Sequence, residues 1–239
     1  MTDRLVRGPL QKNLSVILVR PQNQENIGLV ARAMKNTGFR SLRIIGVERL
    51  TERAFAAAVH SEDILEQAVL LSNLEDAVFD LNLVAAATAK SRKNFTLNTF
   101  DEASRRLVTA PLDTRIGLLF GNERTGLVSQ ELLFANFLFT IPQAARQPSY
   151  NLASAVLLSL FRFSSEGPVQ KKNARRDPPI SRAEQTACIR LILDKLKDRR
   201  FIHETNVEHI TDMVHSLFGR LEMTEKDKNL LLAIFSRGW

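Results

Sequence analysis

The sequence predicts an α/β fold, a mostly parallel sheet with helices on both faces, followed by a small all-α C-terminal extension. Three observations carry that reading. Short apolar runs rich in branched residues alternate with helical patterns through residues 14–163, the pattern of strands joined by crossover helices. The runs are continuously apolar, as strands buried on both faces must be. Beyond residue 163 helical patterns continue and no further strand is legible.

In chain order, LSVILVR (14–20) reads as the first strand, followed by the polar turn PQNQEN. A helix runs from near Asn26–Ile27 to Asn36, with Ile27, Val30, Ala31 and Met34 on one face and Gly38 at its C-cap. SLRIIG (41–46) is the second strand, and the alanine-rich, acidic stretch 51–80 reads as helices. LVAAAT (83–88), RIGLLFG (115–121) and FLFTIP (137–142) complete five strands. Ser129 caps a short helix, SQELLFAN, and residues 151–163 form an apolar helix. The segment 164–180 holds three prolines and a basic run and reads as a linker. Three helices follow, about 181–197, 204–219 and 224–236, the last capped by Thr224 with Asp227 three residues on. The chain thus divides into 1–163, the linker 164–180 and a helical module 181–239.

Composition narrows the function. The single cysteine, Cys188, excludes an internal disulfide and a cysteine zinc site, and points to a reducing, cytoplasmic setting. No apolar stretch is long enough to span a bilayer, and residues 1–13 lack the apolar core of a signal peptide. None of the four histidines lies three or four residues from another, so no metal is expected. Dinucleotide and phosphate-loop glycine motifs are absent, and no G-x-S-x-G elbow marks a serine hydrolase. A net charge of +7 points weakly toward a polyanionic partner.

In this architecture ligands sit at the carboxyl ends of strands, and three segments there carry polar chemistry. The first, 26–36, places Arg32 on a helix within two turns of its start. The second is Phe120-Gly121-Asn122-Glu123-Arg124-Thr125-Gly126-Leu127, just past a buried strand. The third runs from Ile141-Pro142 to Pro148-Ser149-Tyr150-Asn151 and Ala155. Each alone has a plain structural explanation: an exposed helix arginine, a strand-to-helix turn with a surface ion pair, and helix capping by Ser149 or Asn151.

Together the three resemble the motifs of the SPOUT superfamily of RNA methyltransferases, in its SpoU/TrmH branch of ribose 2'-O-methylases. N-x-G-x-x-x-R is matched by Asn26, Gly28 and Arg32. F-G-x-E-x-x-G-L is matched by Phe120, Gly121, Glu123, Gly126 and Leu127. Proline followed by S-x-N-x-x-x-A is matched by Pro142, Ser149, Asn151 and Ala155. ARAMKN (31–36), TAKSR (88–92), Arg124 and the helical extension are similar to the TrmJ subfamily, whose members methylate nucleotide 32 of the tRNA anticodon loop. Tyr150 and Ser154 depart from that pattern.

The resemblance implies a SPOUT methyltransferase domain over residues 1–163, its sheet ending in a C-terminal trefoil knot, a rare exception to the rule against knotted chains. It implies S-adenosylmethionine bent against Ala87, Thr88, Ala89, Gly121, Ile141, Pro142, Pro148, Ser149, Tyr150 and Asn151. The catalytic set it implies is Arg32, Asn26, Glu123, Ser149 and Asn151. Arg32 would clamp the RNA backbone and stabilise developing oxyanion charge, since a guanidinium is a poor base. Asn26 would bond the ribose or Arg32, and Glu123 would orient arginine side chains. The ribose oxygen attacks the methyl carbon in line as the sulfonium leaves as a neutral thioether, and a neighbouring phosphate or water takes the hydroxyl proton.

Lys90, Arg92, Lys93 and Arg124 are the expected RNA contacts, with Phe95 as a stacking ring. Lys171, Lys172, Arg175 and Arg176 either track phosphates or form an ordinary charged linker. The partners implied are RNA, most simply tRNA, and a second copy of the chain. The helix 151–163 either supplies that homodimer face or is buried within the monomer. The alternatives are the same chemistry on ribosomal RNA or another tRNA position, and a silent RNA-binding factor on the same fold.

Overall fold

The computed structural model describes residues 9–89, 95, 97–144, 149–165 and 177–236. Among these, seven strands form one wholly parallel sheet. They are β1 Leu14–Val19, β2 Ser41–Ile45, β3 Val69–Leu71, β4 Leu83–Ala87, β5 Leu97–Asn98, β6 Ile116–Phe120 and β7 Phe137–Phe139. Their order is β3-β2-β1-β6-β4-β7-β5. The helices are α1 Pro9–Asn13, α2 Gln24–Thr37, α3 Glu52–Ala58, α4 Glu62–Glu66, α5 Leu74–Val78, α6 Phe100–Val108, α7 Ser129–Leu132, α8 Leu152–Ser165, α9 Arg182–Asp198, α10 Val207–Gly219 and α11 Glu225–Ser236.

Alternation along each strand divides the core in two. Leu14, Val16 and Leu18 of β1 and Leu118 and Phe120 of β6 face the layer of α2, α3, α6 and α8. Ile17, Val19 and Leu119 face α5 and α7. Both sides of the central strands are therefore buried, which is why their sequences run continuously apolar. The α2–α3 packing is close enough that a Cβ on Gly28 would lie 2.1 Å from the Ala54 carbonyl oxygen. The motif glycine at this position thus serves helix contact.

Several elements differ from the sequence reading. β3 lies inside the stretch read as helical, and β5 was not anticipated; both are short edge strands with partly exposed side chains. Helix α2 begins at Gln24, because Asn23 accepts the Glu25 N–H and caps it. Ser129 is the first residue of α7 and not its cap. The Glu131 carboxylate instead accepts the N–H of Val128, one residue earlier. Ser181 and Thr224 do cap their helices, paired with Glu184 and Asp227.

Helices α9 to α11 pack together through Ile189, Leu193 and Ile202, and through Cys188 and Met223. They dock on the α5/α7 side of the sheet by a polar clamp. Main-chain N–H groups of Arg182 and Ala183 donate to Leu81 and Phe79. Asn136 donates to the Gly219 and Leu221 carbonyls. The buried Arg182 guanidinium donates to Gln185, to the Gly219 carbonyl at 2.9 Å and to the Leu133 carbonyl at 3.3 Å. Gly219 and Leu133 end α10 and α7, where carbonyls lack partners and attract a cation. Burial lowers the Arg182 pKa to about 10, so it remains charged at neutral pH. We expect Arg182→Met to cost about 2–3 kcal/mol, because it strands buried acceptors. Urea unfolding at pH 7 measures this, and an unshifted midpoint would contradict it. No helix among the described residues is long and apolar enough to cross a membrane.

Candidate active site

The three polar segments meet beside the carboxyl ends of β1 and β6. After β6, Glu123 turns back across the sheet toward the loop after β1. Its carboxylate accepts the Gln22 N–H at 2.8 Å, the Asn23 N–H at 3.1 Å and the Asn26 amide at 3.0 Å. Asn26, buried in the first turn of α2, in turn accepts the Asn151 amide at 2.9 Å. The Asn151 carbonyl oxygen accepts the Ala153 and Ser154 N–H groups and so caps α8. One chain of hydrogen bonds therefore joins the starts of two helices through three side chains drawn from all three motifs. Burial works to raise the Glu123 pKa, but the Asn26 amide and the Gln22 and Asn23 N–H groups hold it below the ordinary 4.5.

The loop carrying Glu123 is itself braced. Asn122 accepts the Arg124 and Thr125 N–H groups through its side chain and donates to the Arg20 carbonyl at 2.8 Å. The Gly126 N–H closes the turn on the Asn122 carbonyl. Arg20, at the end of β1, also pairs with Glu131 at 2.5 Å. Gly121 lets the turn cross itself: a Cβ there would sit 2.3 Å from Gly126 C and Leu127 N. Gly121→Ala is expected to displace this backbone and cost about 3 kcal/mol or more. Its melting temperature and cofactor affinity should fall together, and a variant normal in both would contradict the crossing as the reason for glycine.

Sequence reading placed Asn26, Glu123 and Asn151 in the site, and the structure brings these three together. The partners within the chain are these. Asn26 bonds Glu123 and Asn151, and Arg32 is not among its partners. Glu123 bonds main chain and Asn26 rather than an arginine, because its short reach is taken up by the N–H groups that begin α2. Arg32 is exposed on α2 and makes no hydrogen bond or ion pair with the described residues. Ser149 is exposed beside Tyr150, whose hydroxyl donates to the Pro142 carbonyl at 2.8 Å. Asn122, Gln22 and Asn23 were missed as site builders. The signal for Asn122 was its type, since asparagine side chains readily close turns on their own backbone.

The expected cofactor walls lie next to one another. Ala87 ends β4 with Thr88 and Ala89 just past it, Gly121 follows β6 and Ile141–Pro142 follow β7, and these strands are neighbours in the order β6-β4-β7. The Thr88 N–H donates to the Phe139 carbonyl, which ties two of the three ends. Leu127 is buried and Ile141 partly so. Arg124 is exposed. Lys90, Arg92, Lys93 and Pro148, and the linker cations Lys171, Lys172, Arg175 and Arg176, lie outside the described residues. Phe95 packs partly buried against the core. Among the described residues no group of three potential ligands is placed to hold a metal ion.

A model of the SpoU rRNA Methylase family matches residues 13–161. The tRNA (cytidine-2'-O-)-methyltransferase TrmJ of Methanocaldococcus jannaschii is 33% identical over 213 residues, 87% of this chain and 90% of that protein. The tRNA (cytidine/uridine-2'-O-)-methyltransferase TrmJ of Photorhabdus laumondii is 25% identical over 94% of this chain and 96% of its own. The crystal structure of TrmJ from Z. mobilis ZM4 superposes with a TM-score of 0.81 at 28% identity, over 93% of this chain and 97% of that one.

Proposed function

Because the chain belongs to the SpoU rRNA methylase family, we propose that it is an RNA ribose 2'-O-methyltransferase acting on cytidine or uridine 32 of the tRNA anticodon loop. The observation that carries this is the Asn26–Glu123–Asn151 chain, which unites the three motifs in one polar site. Relatives named for tRNA 2'-O-methylation that align along most of the chain support tRNA as the substrate.

S-adenosylmethionine is the methyl donor we assign, and it supplies an electrophilic methyl group. The three neighbouring strand ends fit it: they offer small residues and the apolar side chains of Leu127 and Ile141. Ala87–Ala89, Gly121, Ile141–Pro142 and Ser149–Asn151 would hold it. Arg32, charged and free of partners within the described chain, clamps the phosphate beside the target ribose. Asn26 and Asn151 hold the helix starts that shape the pocket, and Glu123 fixes both to the sheet.

We extend the reading to assembly. Leu157, Leu158 and Phe161 leave an apolar face of α8 exposed, while Leu152, Val156, Leu160 and Phe163 bury the opposite face. A homodimer covers that exposed face. The SPOUT domain is residues 1–163, knotted at its C-terminal end, and α9–α11 form the helical module. A tRNA substrate places the enzyme in the cytoplasm.

Radiolabelled S-adenosylmethionine with unmodified total tRNA and, separately, ribosomal RNA tests the reading. The expected result is a 2'-O-methyl pyrimidine mapping to position 32. Label confined to ribosomal RNA, or elsewhere in tRNA, would overturn the substrate; no label in any RNA would overturn the activity.

A further inference from the structure

Beside the site lies a groove of about 670 Å³ between residues 22–24, where the loop after β1 enters α2, and the segment 49–53 that follows β2 and enters α3. Its volume is in the range of small-ligand sites and is large enough for one nucleotide. We propose that this groove receives the RNA backbone flanking the methylated nucleotide, with Arg49 and Arg53 contacting its phosphates. The inference rests on the RNA-methylase reading and names a contact surface for it.

Position is the first argument. The groove opens at the carboxyl ends of β1 and β2, on the same rim as Glu123. Gln22 and Asn23 line it, and their N–H groups are the ones Glu123 holds. One wall of the groove is thus the back of the active-site loop.

Charge is the second. Arg49 and Arg53 are exposed, and neither guanidinium has a hydrogen bond or ion pair with the described residues. Arg20, at the end of β1, is by contrast paired with Glu131. Glu52 also lines the groove, which leaves it one net positive charge. A carboxylate accepts from a base amino group or a ribose hydroxyl, both present on RNA.

Rigidity is the third. The Gln24 side chain stitches the walls together, accepting the Thr51 N–H at 3.1 Å and donating to the Arg49 carbonyl at 3.4 Å. Thr51 Oγ1 is buried without a hydrogen-bond partner among the described residues. The groove is therefore held open by the fold.

The test compares wild type with Arg49→Ala/Arg53→Ala and Arg49→Lys/Arg53→Lys, using full-length protein and unmodified tRNA. For the alanine pair we expect KM and Kd for tRNA to rise about tenfold, with kcat within twofold and S-adenosylmethionine affinity and melting temperature unchanged. The slope of log Kd against log salt should fall by about 1.4, the value for two lost phosphate contacts on a single strand. The lysine pair should restore that slope, because it restores the charges. Unchanged KM and salt slope in the alanine pair, beside an active wild type, would overturn the groove alone. A wild type that neither binds nor methylates tRNA would overturn the function from which the groove was inferred.

Discussion

Arg32→Ala is expected to lower kcat about 10²–10³-fold while the melting temperature and the S-adenosylmethionine Kd stay at wild-type values. Separation of these readouts follows from the position of Arg32. It is exposed on α2 and bonds nothing among the described residues, so its removal leaves no orphaned partner and no cavity. Its contribution is confined to the RNA complex, where it meets a phosphate and the charge growing on the ribose oxygen. Arg32→Lys keeps the charge and loses the planar fork, so it should recover only part of the rate. Steady-state kinetics with saturating tRNA decides the matter. A lysine variant with near-normal turnover would show that a point charge suffices, and an alanine variant with near-normal turnover would remove Arg32 from the chemistry.

Glu123→Gln has the opposite signature, because it should damage stability and rate together. The carboxylate accepts from three donors, and an amide offers them one oxygen and an NH₂ group. At least one N–H beginning α2 is left facing a donor. A hydrogen bond to a charged group contributes about 1.5–3 kcal/mol, so we expect a loss of about 2 kcal/mol at pH 7. The pH dependence carries a sign. The folded pKa lies below the ordinary 4.5, so the carboxylate's contribution is fully present above that value. It fades as pH falls through the lower, folded one. The stability gap between wild type and Glu123→Gln should therefore narrow below about pH 4.5. Urea unfolding across pH 3–7 measures it, and a gap that stays constant would show that ionisation of Glu123 is not its source.

The central strands were legible because burial on both faces forces a continuous apolar run. The edge strands were not: β3 has one face in solvent and β5 is two residues long, so neither carries a period. The site was legible as three motifs through family resemblance, and its residues had local explanations that also proved true, since Asn151 does cap α8. What the sequence could not display was the pairing. Glu123 and Asn26 are 97 positions apart and Asn151 and Asn26 are 125 apart, and no local pattern encodes a hydrogen bond across the sheet. The groove at Arg49 and Arg53 was invisible for a related reason. Two arginines in a loop read as solvated charge until the fold sets them against the back of the active-site turn.

The length of that Asn26–Asn151 separation also has a meaning in time. At about 5–20 residues per second, synthesis of the intervening 125 residues occupies roughly 6–25 s. For the first 97 residues of that interval the Asn26 side chain lacks both of its partners, and until Asn151 is made it still lacks one, a state that costs about 1–3 kcal/mol if the amide is desolvated. Early docking of α2 is thereby discouraged on the ribosome. The nascent protein acquires its ability to handle RNA as a late, single event, after Asn151 has emerged and closed the chain of hydrogen bonds.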